Sequence, residues 1–302
     1  EMSASLVGSE MCIRDRLIYY AMMMFAVSLI IRVSYSWVCR KKYKESHYYF
    51  TWDKHLIRQI ASFSGWTSLS AISYMVKAQG VAMVLNVFFG PMLNAAVGIA
   101  NQVNSAIKTF SQNFQMAFMP QITKTYARGE YAQMNKLVFS GAKLSTYLLM
   151  AIAGPVILEI DYFLELWLVK VPEYANYIIV LILLESILQT MTCTGNTAVR
   201  ATGRVKWYEI IYNSVELLAL PASVFILFTS TQYYIPFVVI IGFTVLSSSV
   251  KLTFIRRLIP GFRLRQYVIN VFLKCFLFIA IAIAVPVMLL NGFDGSSQRM
   301  VM

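Results

Sequence analysis

Charge is scarce in this chain. Only 13% of its 302 residues are Asp, Glu, Lys or Arg, 58% are hydrophobic, and the mean hydropathy is +0.63. A soluble domain of that balance would expose a very large apolar area, so water is excluded as its main solvent. Histidine and cysteine are scarce as well. His47 and His55 share one polar stretch where a solvated surface role is expected, and Cys12, Cys39, Cys193 and Cys275 stand singly, without Cys-x-x-Cys or Cys/His ligand spacing. No disulfide, metal site or cofactor is expected from them. Acids are the rarer sign, 14 against 26 basic residues, for a net charge of +12.

What fills the chain instead is a series of apolar runs, each about long enough to cross a bilayer as a helix. They cover residues 17–37, 66–88, 95–120, 138–158, 174–193, 210–228 and 234–254, with an eighth at 267–290. Backbone amides in hydrocarbon must be paired internally, and these runs are too long for barrel strands and lack their alternation. The expected fold class is therefore all-α, a polytopic membrane protein of about eight transmembrane helices.

A strongly basic chain suggests nucleic acid, because Lys and Arg neutralise phosphates. Position decides against that partner. Arg40, Lys41, Lys42, Lys44, Lys54 and Arg58 fall in the first long connection; Lys124, Arg128 and Lys136 follow the third run; Arg200, Arg204 and Lys206 follow the fifth; Arg256, Arg257, Arg263 and Arg265 follow the seventh. The alternate connections, near Gly90, at 159–173 and near Gln232, hold only Lys170. This alternation is the positive-inside pattern and predicts that the basic connections face the cytoplasm, with some attraction to anionic membrane lipid.

Two segments stand apart. Residues 6–16, LVGSEMCIRDR, resemble the in-frame translation of a sequencing-library adapter; residues 1–16 are expected not to belong to the fold, and the true N-terminus to lie elsewhere. A signal peptide fits worse, since Glu10, Arg14 and Asp15 interrupt any apolar core. Residues 49–64 place Phe50, Leu56, Ile57, Ile60 and Phe63 among Asp53, Lys54, His55 and Arg58. That spacing suits either an amphipathic helix on the inner membrane surface or a helical extension of the next span.

Polar residues within the runs fall in phase. On the third run Asn94, Asn101, Asn104, Ser105, Lys108, Gln112 and Gln115 recur at three, four or seven residues, which puts them on one helix face. The second run carries Ser70, Ser73, Tyr74 and Lys77, the fifth Glu185, Gln189, Thr192 and Asn196, the sixth Glu209, Tyr212, Asn213 and Glu216. Interhelical hydrogen bonding explains single amides on packed faces. It does not explain Lys77 and Lys108, because an ammonium at the bilayer centre costs about 2.5 to 3.5 kcal/mol and needs a counter-charge or a watery cavity. Glu185 and Glu216 are the candidate counter-charges or ion-coupling groups, while Glu209 suits the cap of its helix. A cavity of this kind fits a ligand with phosphate and many hydroxyls: ammonium groups hold phosphate, and amides pair with sugar hydroxyls. The candidate binding residues are Lys77 and Lys108 for phosphate and Asn101, Asn104, Gln112 and Gln115 for sugar.

The run FSGWTSLSAISYMVKAQGVAMVLNVFFGPMLNAAVGIANQVNSAIKTFSQNFQMAFMPQITKTYARGE, then LELWLVKVPEYA and RATGRVKWYE, resembles the lipopolysaccharide and oligosaccharide flippases of the multidrug/oligosaccharidyl-lipid/polysaccharide exporter superfamily. The resemblance covers about residues 17–290. It implies two six-helix lobes around a central cavity, with 17–37 the last helix of a truncated first lobe, 38–65 a basic cytoplasmic connection, 66–258 the second lobe, and 259–302 a connection plus one additional helix. It further implies a non-enzymatic transporter of the bacterial plasma membrane. The ligand would be a lipid-linked oligosaccharide, and glycosyltransferases and a polymerase would be functional partners. Pro91, Pro120 and Pro155 and Gly65, Gly98 and Gly154 would permit the bending that alternating access requires. A cation-coupled drug antiporter of the same superfamily is the nearest alternative. A membrane-bound polymerase or glycosyltransferase would need a catalytic loop, and the sequence offers no paired carboxylates, Ser/His/Asp set or metal cluster for one.

Overall fold

The computed structural model describes residues 2–43, 52–168, 171–229 and 232–278, with side chains from residue 18 onward. Among these residues every regular element is helical and no strand occurs. The chain divides into two compact units, Glu1–Ile57 and Arg58–Met302.

The first unit is dominated by α1 (Met2–Lys42), of which Ile18–Lys42 is long and apolar enough to cross a membrane. Its described side chains are exposed, among them Met22, Phe25, Ile30 and Trp37, as suits a helix solvated by lipid. Arg40, Lys41 and Lys42 close it, where basic groups complement the negative end of the helix dipole. The Lys41 ammonium lies 5.0 Å over the Trp37 ring. The backbone of residues 2–16 continues α1, so no break separates the adapter-like segment from the span.

The next helix, α2 (Lys54–Ala127), starts behind Asp53, whose carboxylate accepts from the N–H groups of His55 (2.9 Å) and Leu56 (3.2 Å). That is N-capping by a short acidic side chain. From Lys54 onward the amphipathic segment is thus the opening of α2 itself, the second of its two expected forms; residues 49–51 lie outside the described residues.

At 74 residues and about 1.5 Å per residue, a straight α2 would run about 110 Å, several times the apolar thickness of a bilayer. It is not straight. Gly90 has φ 80° and ψ −176°, a conformation essentially confined to glycine, and Pro91 follows with its fixed φ and missing N–H. The Gly-Pro pair therefore divides α2 into two arms, and the short loop expected there is a kink in one helical run. Buried residues on the second arm, Leu93, Ala96, Val97, Ala100, Val103, Ile107 and Ser111, follow the three-four spacing of one packed face. On the first arm only Ser73 and Leu85 are buried, and Tyr74, Met75, Met83 and Val87 are exposed.

Beyond it follow α3 (Tyr131–Leu158), the short amphipathic α4 (Ile160–Trp167), α5 (Ala175–Thr190), α6 (Cys193–Ala201), α7 (Lys206–Leu227) and α8 (Ile235–Leu258). Then come α9 (Leu264–Tyr267) and a π-helical stretch, Val268–Leu273. Helix α8 packs on α5, α6 and α7, and α3 on α5 and α6. The core centres on Leu149, Ile179, Leu183, Met191, Tyr208 and Tyr267. The expected fifth run is a discontinuous helix, interrupted at Met191 and Thr192. Tyr267 donates its hydroxyl to the Met191 carbonyl (2.6 Å), and so satisfies a backbone acceptor at the interruption where water is scarce.

Among the described residues six helical stretches are long and apolar enough to cross a membrane: Ile18–Lys42, Lys54–Ala127, Tyr131–Leu158, Ala175–Ala201, Lys206–Leu227 and Ile235–Leu258. They fit a multi-pass membrane protein. The runs expected at 66–88 and 95–120 share one of the six, and the expected eighth span at 267–290 is described only to residue 278.

Candidate functional site

Both arms of α2, with α5, α6, α7 and α8, line an open cavity of about 890 Å³. Lys77, Asn101, Asn104, Lys108, Gln112, Gln115, Glu185 and Glu216 all lie on its wall. The helical phase of each stripe turns its polar face inward, and the kink at Gly90 lets the two arms of α2 carry their stripes to one place.

The centre of the cavity is an ionic cluster. Lys77 Nζ donates to Glu185 Oε1 at 3.2 Å and to Glu216 Oε2 at 2.7 Å, all three side chains being largely buried. Other donors hold the carboxylates too: Thr244 (3.2 Å) and Gln189 (2.9 Å) donate to the same Glu185 oxygen as Lys77, and Ser247 (2.5 Å) donates to the other oxygen of Glu216. The set holds two carboxylates to one ammonium, so removing Lys77 leaves both without a counter-ion, which costs about 3 to 5 kcal/mol, whereas the complete set contributes little net stability. The cluster thus orients side chains more than it holds the fold together.

Lys108 is placed differently. Its ammonium donates to the amide oxygen of Gln189 at 2.9 Å, and among the described residues no carboxylate lies in ion-pairing reach of it. Of the four amides, Asn104 accepts from Ser186 (2.7 Å) and Gln115 donates to Ser111 (3.2 Å), so both are tied into helix packing. Asn101 and Gln112 are exposed to the cavity. They are the two amides free to meet a ligand hydroxyl.

Glu209 stands in the first turn of α7, where an acid complements the helix dipole, and it does more than that: it is 1% exposed, and its carboxylate accepts from Arg200 (3.1 Å), from Asn213 (3.3 Å) and from Ser70. Tyr208 donates to Asn196 beside it. This second cluster joins the first arm of α2 to α6 and α7 at one end of the cavity.

Sequence reasoning missed the contribution of α8. Thr244, Ser247, Ser248 and Lys251 are buried at intervals of three and four, a stripe as regular as the others. Lys251 is 3% exposed; its ammonium donates to Thr192 Oγ1 at 3.1 Å and lies 5.0 Å over the Tyr212 ring. Phase alone would have found it.

The wall carries Lys77, Lys108, Arg200 and Lys251 against Glu185, Glu209 and Glu216, one cation in excess. With its amides and hydroxyls, such a space is suited to a polyhydroxylated anion. No protein-family model, no curated protein and no solved structure matches the chain.

Proposed function

We propose that this chain is the second lobe, with flanking helices, of a transporter that flips polyprenyl-diphosphate-linked oligosaccharide across a bacterial plasma membrane for lipopolysaccharide or capsule synthesis. The observation that supports it is the cavity: a polar, net cationic space within a bundle of membrane-crossing helices, lined by side chains from both arms of α2 and from α5 to α8. Diphosphate would be held by ammonium groups and sugar by amides such as Asn101 and Gln112, while the polyprenyl tail stays in lipid. Alternating access would follow from bending at the interrupted helices, the Gly90 kink and the α5–α6 break.

The test is complementation of oligosaccharide export in cells lacking their own flippase, using the full-length protein. Lys108→Ala should abolish export at normal protein levels, and unchanged export would remove it from the site.

A second reading, the cation-coupled drug antiporter, draws on Glu185 and Glu216, two cavity carboxylates held by one lysine. Ion-gradient-driven efflux of an organic cation by vesicles containing the protein would favour it over lipid-linked sugar.

A further inference from the structure

We infer that the turn between α5 and α6 is a phosphate-binding subsite, with Lys108 and Lys251 as its two cations. This deepens the transport reading in its choice of ligand, but the anion site rests on geometry of its own.

Three ammonium groups reach this cavity, and they are not equivalent. Lys77 already sits between two carboxylates. Lys108 and Lys251 meet only neutral partners, and both are anchored on the same short stretch of chain. Lys108 donates to the side-chain oxygen of Gln189. Lys251 donates to Thr192 Oγ1, and that hydroxyl donates in turn to the main-chain carbonyl of Gln189 at 3.3 Å. One turn of backbone thus fixes two cations supplied by different helices, α2 and α8.

A buried ammonium with only neutral partners is costly, and buried charges in proteins are normally paired or complexed. Glu185 lies one side chain away, its carboxylate accepting from the same Gln189 amide group that receives Lys108, yet the wall as a whole keeps one cation in excess, which an anion entering the cavity would balance. A phosphate or diphosphate group meets the need: its charge matches two ammonium groups, and its oxygens accept from ammonium, hydroxyl and amide donors alike. The arrangement also reassigns Lys77, whose charge is spent on Glu185 and Glu216, from phosphate ligand to positioning residue.

The test is calorimetric titration of the purified full chain in lipid nanodiscs with inorganic pyrophosphate and, separately, with farnesyl diphosphate. Lys108→Met and Lys251→Met should each weaken pyrophosphate binding at least about tenfold, about 1.4 kcal/mol. Lys136→Met, an exposed lysine outside the cavity, should leave it unchanged. Should the methionine variants fail to fold, saturating pyrophosphate should still protect Lys108 and Lys251 of the unaltered protein from acetylation, read by mass spectrometry. Wild-type affinity in folded Lys251→Met, or labelling of Lys251 that pyrophosphate does not change, overturns the subsite, as does an unaltered protein that binds neither ligand. Binding of pyrophosphate without farnesyl diphosphate supports the subsite for a free anion and removes the lipid-linked ligand. Failure of the full-length protein to restore export, with pyrophosphate binding intact, would count against the transport reading alone.

Discussion

The Lys77 ammonium lies 2.7 Å from the Glu216 carboxylate, although 139 positions separate them in sequence. With Glu185 at 3.2 Å, this contact ties the first arm of α2, little of which is buried, to α5 and α7.

Replacing Lys77 alone should therefore destabilise the protein sharply. Lys77→Met leaves two buried carboxylates without their cation and should cost about 3 to 5 kcal/mol. The triple change Lys77→Met, Glu185→Gln, Glu216→Gln should recover most of that loss. Thermal unfolding in detergent measures both, and a triple variant no more stable than the single one would mean that the loss does not come from uncompensated buried charge.

The Gly90 kink should resist any side chain. A Cβ there meets no atom within 4 Å, so the penalty of Gly90→Ala is conformational and should be about 1 to 3 kcal/mol. Spin labels at Tyr74 and Met116, one on each arm, would report the change as a shift in their separation.

Glycines 98 and 195 predict opposite outcomes for the same substitution. At Gly195 a Cβ would lie 2.6 Å from the buried Ile255 side chain and 3.3 Å from that of Lys251, so Gly195→Ala should cost about 1 to 3 kcal/mol by forcing α6 from α8. At Gly98 nothing lies within 4 Å, and Gly98→Ala should be neutral or stabilise by up to about 1 kcal/mol through helix propensity. Parallel melting curves decide it.

Solvent access to the cavity should follow the face of the second arm. With Cys12, Cys39, Cys193 and Cys275 replaced, a cysteine at Asn101 or Gln112 should react with a water-soluble maleimide, and one at Ala100 or Val103, both buried, should not. Equal labelling at all four would mean that the arm does not keep one face to water.

The Ser70–Glu209 contact should be energetically coupled. A double-mutant cycle of Ser70→Ala with Glu209→Gln should give a coupling of about 1 kcal/mol. A value near zero would mean that this end of the cavity is not latched through Glu209.

Much of this architecture could be read from residue pattern. The helical class followed from uncharged runs that only helices can carry through lipid, and the inward faces of α2, α5 and α7 followed from polar residues three and four apart. The α8 stripe escaped because serine and threonine barely lower the apolarity of a run. Near a basic helix end, a single lysine also suits an ammonium that snorkels to the interface, whereas Lys251 points to Thr192. The Met191–Thr192 interruption has no local signature, neither Gly nor Pro. Its partners, Tyr267 and Lys251, arrive 59 or more residues later in the chain, so it is a tertiary choice. Gly90 was legible as punctuation but not in kind: Gly-Pro marks a turn as readily as a kink.

The separation in sequence between Lys77 and its carboxylates also sets an order of events on the ribosome. Glu185 is made 108 residues after Lys77, which at about 5 to 20 residues per second leaves about 5 to 20 seconds in which the first arm has emerged and its counter-charge does not exist. Through that interval the first arm carries an ammonium without its counter-charges, a cost of about 2.5 to 3.5 kcal/mol at a bilayer centre that only the later synthesis of α5 and α7 can relieve.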